Sequence, residues 1–253
     1  MTERGRILVE ACVDSLASAA AAVAGGAARL ELCSGLVEGG LTPSAGIVAL
    51  VRERIDADLH VLIRPRGGDF LYDADEVLVM LADLDLAMRL GADGVVIGAL
   101  TAGGAVDEAV AARLIESARP MAVTFHRAFD LTRDPAQALD ALLRLGIERV
   151  LTSGQAESAE AGISVLASLV RQGADQMTVL AGGGVHEANA ARIVRETGVR
   201  EIHLRGSRSF ESPMTFRREG VAMGRAYRPD EFLRIETDQA QIRRVVDAVR
   251  LIE

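Results

Sequence analysis

The chain holds two cysteines, Cys12 and Cys33, and each stands two residues after a glutamate, Glu10 and Glu31. In a β-strand alternate side chains share a face. The run Arg29-Leu30-Glu31-Leu32-Cys33 alternates polar with apolar, so Glu31 and Cys33 point one way and Leu30 and Leu32 the other. Glu10-Ala11-Cys12 closes an earlier apolar run in the same phase. On parallel neighbouring strands, about 4.8 Å apart, the two thiols would sit side by side. Adjacent thiolates suit a soft ion such as Cu(I), whereas zinc wants more ligands than this pair offers. The competing reading is packing, because free cysteine is among the most buried residue types.

Other polar residues gather at what read as strand ends. Arg64-Pro65-Arg66-Gly67-Gly68-Asp69-Phe70 sets two arginines beside paired glycines. Guanidinium forks there suit a carboxylate or phosphate; alternatively Arg64 neutralises Glu10 or Glu31. Arg66 has no evident partner except Asp69, which makes it the preferred anion contact. His126 and Arg127 end another strand and, by alternation, face opposite ways, so at most one points fully into the site. His126 is a candidate general base or metal ligand, with a hydrogen-bonded structural role as the alternative. His203 carries the same two readings. Thr152 and Ser153 end a further strand. Gly182-Gly183-Gly184 precedes an expected helix, where bare amides can hold phosphate; a tight turn is the other reading. His60 is expected at the far face as a structural residue, and His186 is expected to be exposed.

The elements that must position these residues alternate strand and helix throughout. Strands are expected at 7–12, 29–33, 60–64, 94–98, 122–127, 149–153, 178–181 and 201–204. Helices are expected at 15–24, 44–55, 74–90, 107–118, 135–145, 158–172, 187–196 and 239–251. Gly91, Gly146 and Gly198 stand where left-handed helix ends are expected, and Asp134-Pro135 reads as a cap with proline in the first turn. Such alternation implies a parallel sheet. Eight units without a strand–GxGxxG–helix motif favour a closed (β/α)8 barrel over an open doubly wound sheet. One domain, 1–253, is expected, with an elaborated last loop over about 205–238. The site then lies at the C-terminal ends of the strands.

Composition narrows the function. At 253 residues and 49% hydrophobic, the chain can bury a sizeable core. A net charge of -8 argues against a nucleic-acid partner. No apolar run approaches the roughly eighteen residues of a membrane span, and the polar start, Met1-Thr2-Glu3-Arg4-Gly5-Arg6, does not read as a secretory signal. A cytoplasmic location is expected. All 28 basic residues are arginine. With no lysine, neither a Schiff-base mechanism nor pyridoxal-phosphate attachment is available.

The motifs together resemble the CutC family of copper homeostasis proteins. The resemblance runs from Val9 to the final helix. It is carried by Val9-Glu10-Ala11-Cys12-Val13-Asp14-Ser15, Arg29-Leu30-Glu31-Leu32-Cys33-Ser34, Glu38-Gly39-Gly40-Leu41-Thr42-Pro43-Ser44 and the Arg64 stretch with Ile63 before it. Further along come Gly91-Ala92-Asp93-Gly94-Val95-Val96-Ile97-Gly98, Thr124-Phe125-His126-Arg127-Ala128-Phe129-Asp130, Leu151-Thr152-Ser153-Gly154 and Gly182-Gly183-Gly184-Val185. The resemblance implies a TIM-type barrel, a cytoplasmic protein linked to copper, and Cu(I) held through Cys12 and Cys33. The chain departs from the family pattern after His203, where Leu204-Arg205-Gly206-Ser207-Arg208 follows. Two functions stand open. One is a copper-binding homeostasis protein. The other is an enzyme acting on a small anionic metabolite through Glu10, Glu31, Arg64, Arg66, Asp69, His126, Arg127, Ser153, Gly183, Gly184 and His203. Oligomeric state is left open, a homo-oligomer included.

Overall fold

Eight strands of four to six residues pack apolar side chains against the helices, and their other face mixes polar residues with Leu62, Val96 and Leu151. They are β1 (Leu8–Val13), β2 (Arg29–Leu32), β3 (Asp58–Leu62), β4 (Gly94–Ile97), β5 (Ala122–Phe125), β6 (Arg149–Thr152), β7 (Thr178–Gly182) and β8 (Glu201–Leu204). In the computed structural model they pair in parallel and in sequence order, and β8 returns to β1, closing a barrel. Around it lie α1 (Leu16–Gly25), α2 (Ala45–Arg54), α3 (Ala74–Arg89), α4 (Glu108–Ala118), α5 (Pro135–Arg144), α6 (Ile163–Gly173), α7 (Ala190–Thr197) and α8 (Gln239–Arg250). The structure describes residues 6–218, 232–250 and 252. The polar start at 1–5, the stretch 219–231 of the expected last loop, and Leu251 at the end of the expected last helix lie outside the described residues. No helix among the described residues is long and apolar enough to cross a membrane.

Local chemistry sets most boundaries. Asp73 and Glu76 form a reciprocal capping box at α3, and the Asp134 carboxylate accepts from Ala136 N and Gln137 N at α5. Gly91, Gly146 and Gly198 end their helices with positive φ, as expected. Several strand ends move by one or two residues, β3 most, to Asp58–Leu62 from the expected 60–64, and three boundaries shift for reasons the side chains show. β5 stops at Phe125 because His126 Nδ1 accepts from Ala128 N and opens a 3-10 turn over Arg127–Leu131. α6 begins at Ile163 rather than 158, since Ala159 N is tied to Gly183 O. α7 begins at Ala190 rather than 187, because Asn189 holds the loop before it through His186 N (2.8 Å) and Gly184 O (2.9 Å). Within 205–238 the described residues form an antiparallel hairpin, β9 (Ser207–Glu211) with β10 (Leu233–Thr237). Thr237 N donates to Ser18 Oγ and anchors the hairpin to α1.

Outside the barrel, Val9, Ala11, Leu30 and Leu32 join the large apolar cluster between sheet and helices. Inside, the lower layer is ionic. Arg29 is 1% exposed and pairs with both Glu10 and Glu201. β1 lies between β2 and β8, so the Arg29–Glu201 contact passes through the interior. Arg149 also meets Glu201, at 2.6 Å, and reaches Thr124 Oγ1 at 3.3 Å. Two arginines and two glutamates thus compensate one another where bulky aliphatic residues usually fill a barrel.

Removing one member strands its partners without water, a loss of about 3–5 kcal/mol for a broken buried pair. Arg29→Met is therefore expected to destabilise the protein by about that amount in urea unfolding. Arg89→Ala, which removes an exposed i,i+4 pair with Asp85, is expected to change stability by less than about 1 kcal/mol. Equal effects from the two substitutions would mean that the buried pairs are not fixed as described.

Candidate functional site

β1 and β2 lie in register with Cys12 opposite Glu31. The Cys12 and Cys33 Sγ atoms are 3.5 Å apart, and both thiols are buried in a small apolar cluster with Leu62 and Val96. Cys12 Sγ donates to Glu31 Oε1 at 3.4 Å, and Cys33 Sγ donates to Val13 O at 3.5 Å. β8 sets His203 beside Glu10 on the other side of β1, with Nδ1 2.7 Å from Glu10 Oε1. Ligand atoms of Cys12, Glu31 and His203 all fall within 4.8 Å of one another. Glu31 Oε2 is buried with no hydrogen-bond partner among the described residues.

Charge at this corner follows from burial and neighbours. Burial pushes the Glu10 carboxyl up, but the His203 hydrogen bond and the Arg29 guanidinium outweigh it and hold Glu10 well below its usual range. Burial pushes His203 down, but Glu31, Cys12 and Glu10 outweigh it and hold the imidazole well above 6.5. Burial raises Glu31, against the pull of His203. The Cys33 hydrogen bond, burial and the Glu31 charge push the Cys12 thiol well above 9.0. The corner therefore holds an imidazolium–carboxylate pair beside a protonated thiol.

Above it opens a cavity of about 330 Å3, with Cys12, Glu31, Arg64 and His203 in its wall. His126 and Arg127 line it as well, contrary to the expected opposite facing, because strand alternation ends at Phe125. Gly183 and Gly184 complete that side, but the glycine triplet does not lead directly into a helix. Cys33 and Glu10 lie beneath the lining. Ser153 stands behind it, accepting from Arg127 Nη2 and donating to Ala156 O.

Further expectations need correction. Arg64 does not neutralise Glu10 or Glu31; its Nη atoms donate to Glu38 O, Gly40 O and Gly68 O, and Arg29 is the partner of Glu10. Arg66 and Asp69 do not line the cavity. Arg66 is taken up by Glu76, by Asp69 and by the carbonyls of Gly67, Asp69 and Leu71, which fixes the loop to the start of α3. His60 is the third residue of β3, buried and 3.4 Å from Asp58, rather than the first of its strand. His186 is exposed, as expected.

Three residues escaped sequence reading. Arg29 shares the phase of Glu31, and that phase was the available signal for an inward guanidinium. Asp130 accepts from Thr152, Ser153, Gln155 and Arg127 and so ties β6 to the turn after β5. Arg205 joins the cavity wall from the segment after β8.

The Glu10–His203 pair sets a pH window. Glu10 lies below its ordinary 4.5, so its contribution is complete above that value and fades as pH falls through the folded value. His203 lies above its ordinary 6.5, so its contribution is complete below 6.5 and fades as pH rises through the folded value. His203→Gln is expected to lose most stability between those two values and progressively less at alkaline pH, read from urea midpoints across a pH series. A deficit constant with pH would contradict the ion pair.

A sequence model of the CutC family matches residues 7–208. A CutC family protein of Bacteroides thetaiotaomicron is 46% identical over 242 residues, covering 95% of this chain and 97% of the relative. The copper homeostasis protein cutC homolog of Homo sapiens is 46% identical over 236 residues, covering 93% and 86%. The crystal structure of the putative copper homeostasis protein CutC from Streptococcus agalactiae superposes with a TM-score of 0.75 at 32% identity, covering 78% of this chain and 97% of that one.

Proposed function

This chain belongs to the CutC family, and we propose that it is a cytoplasmic copper-handling protein that takes up Cu(I) as cargo at Cys12 and Cys33. The observation that carries the reading is the 3.5 Å separation of two buried thiols on neighbouring strands, one of them in the wall of an open cavity. Such a donor pair is soft, and soft thiolates select Cu(I) over harder ions. His203 and Glu31 lie close enough to Cys12 to add a nitrogen or oxygen donor. The unpaired Glu31 Oε2, 5% exposed at the residue level, gives that corner an acceptor in search of a cation or a proton.

Uptake must displace protons, because thiolates are the ligands and Cys12 is held as a thiol. Glu31, already hydrogen-bonded to Cys12 Sγ and part of the cavity wall, is the group placed to take its proton and pass it to solvent. Affinity is then expected to rise with pH, by up to about tenfold per pH unit for each proton released.

Competition for Cu(I) against a chromophoric chelator tests the reading. Wild type is expected to retain Cu(I) better at pH 8 than at pH 6, and Cys12→Ser and Cys33→Ser are each expected to weaken binding by at least about tenfold. If both single variants and the double variant compete like wild type, the thiol pair is not a copper site.

A further inference from the structure

Across the barrel mouth from the thiols, the β5–β7 side of the cavity carries donors that the copper reading leaves unused. His126 Nδ1 accepts from Ala128 N at 3.1 Å, so the neutral ring carries its proton on Nε2. That nitrogen is buried and has no partner among the described residues, in a residue only 6% exposed. An unmet buried N–H is costly. The ring cannot swing away to water. Phe70 lies 4.9 Å from it, and a Cβ on Gly98 would come within 2.3 Å of it. Burial and the Arg64 charge push its pKa down to about 3, so the donor persists at neutral pH.

Arg127 stands beside it. Asp130 holds Nε at 2.7 Å and Ser153 holds Nη2 at 3.0 Å, leaving Nη1 without an acceptor among the described residues. The guanidinium lies against Gly183, where a Cβ would come within 3.3 Å of its carbon. Gly183 and Gly184 have φ of +100° and +68°, and their amides donate to no described acceptor. Three arginines, Arg64, Arg127 and Arg205, face the cavity against one carboxylate, Glu31. Arg127 and Arg205 have carboxylate partners outside the lining, Asp130 and Asp14, so the cavity wall itself carries more cations than carboxylates in a chain of net charge -8. Leu36, Leu62, Phe70 and Leu151 give it an apolar wall suited to carbon as well as charge. Its volume, about 330 Å3, is at the small end for a ligand site.

We propose that the cavity binds a small organic anion, with its carboxylate or phosphate on Arg127 Nη1 and the Gly183 and Gly184 amides, and a carbonyl or hydroxyl oxygen on His126 Nε2–H. The guanidinium and amides supply charge-assisted hydrogen bonds. The imidazole supplies the discriminating one, because a ligand lacking that oxygen leaves the buried N–H unmet.

Metal-free full-length protein is titrated with glycerol 3-phosphate, malate and inorganic phosphate, by calorimetry and by following the His126 imidazole nitrogen resonances. At least one organic anion is expected to bind, more tightly than inorganic phosphate, and to move the His126 Nε2–H signal. Arg127→Gln is expected to weaken that binding by about tenfold or more. His126→Phe keeps an aromatic ring but removes both the Nε2 donor and the Nδ1 acceptor for Ala128 N. It is expected to weaken the organic anion more than it weakens inorganic phosphate. The wild-type resonances need no substitution, so a variant that fails to fold leaves the test intact. The proposal is overturned if neither organic anion binds at low millimolar concentration, if inorganic phosphate binds as tightly as both, or if binding leaves the His126 signal in place.

Discussion

Arg29 is the charge on which the interior depends. It is buried between Glu10 and Glu201, and a guanidinium there cannot shed its proton to escape desolvation. Glu10 beside it is held ionised. Glu31, Cys12 and the ionised Glu10 in turn hold His203 protonated, and Glu31 is hydrogen-bonded to Cys12. The state of the thiol at the cavity wall is thus linked, one contact at a time, to a salt bridge deep in the barrel. A chain with no lysine reaches this arrangement with the one cation that stays charged when buried.

Much of the architecture was legible in the sequence, because it rests on period. Alternation in residues 29–33 set Glu31 and Cys33 on one face, and strand–helix repetition set the number of strands. The closed parallel barrel has all eight strands close to where they were expected. Phase also carried Cys12 to the side of Cys33.

What phase cannot carry is depth and partner. Arg29 and Glu31 share a face, yet one lies in the ionic layer and the other in the cavity wall. Arg66 looked free because its main partner, Glu76, sits ten residues on, at the start of a helix whose angle no local pattern fixes. Arg64 looked like a partner for carboxylates, but three backbone carbonyls of bent glycine-rich loops claim it. His126 and Arg127 were placed on opposite faces by an alternation that one side chain–backbone hydrogen bond ends at Phe125. The misses at Arg64 and His126 arise where a side chain answers backbone groups in irregular chain, and those at Arg29 and Arg66 where the partner is a carboxylate on another element.

Closure of the barrel joins Glu10 to His203 across 193 residues of chain. The polypeptide is made from its N-terminus, so Cys12 and Cys33 leave the ribosome long before His203 exists. Until the last strand docks, the dithiol has neither the imidazolium nor the finished wall that shelters it. The nascent chain therefore passes through an interval in which its two sulfurs are open to oxidants and stray metal, and that interval ends only with the final strand.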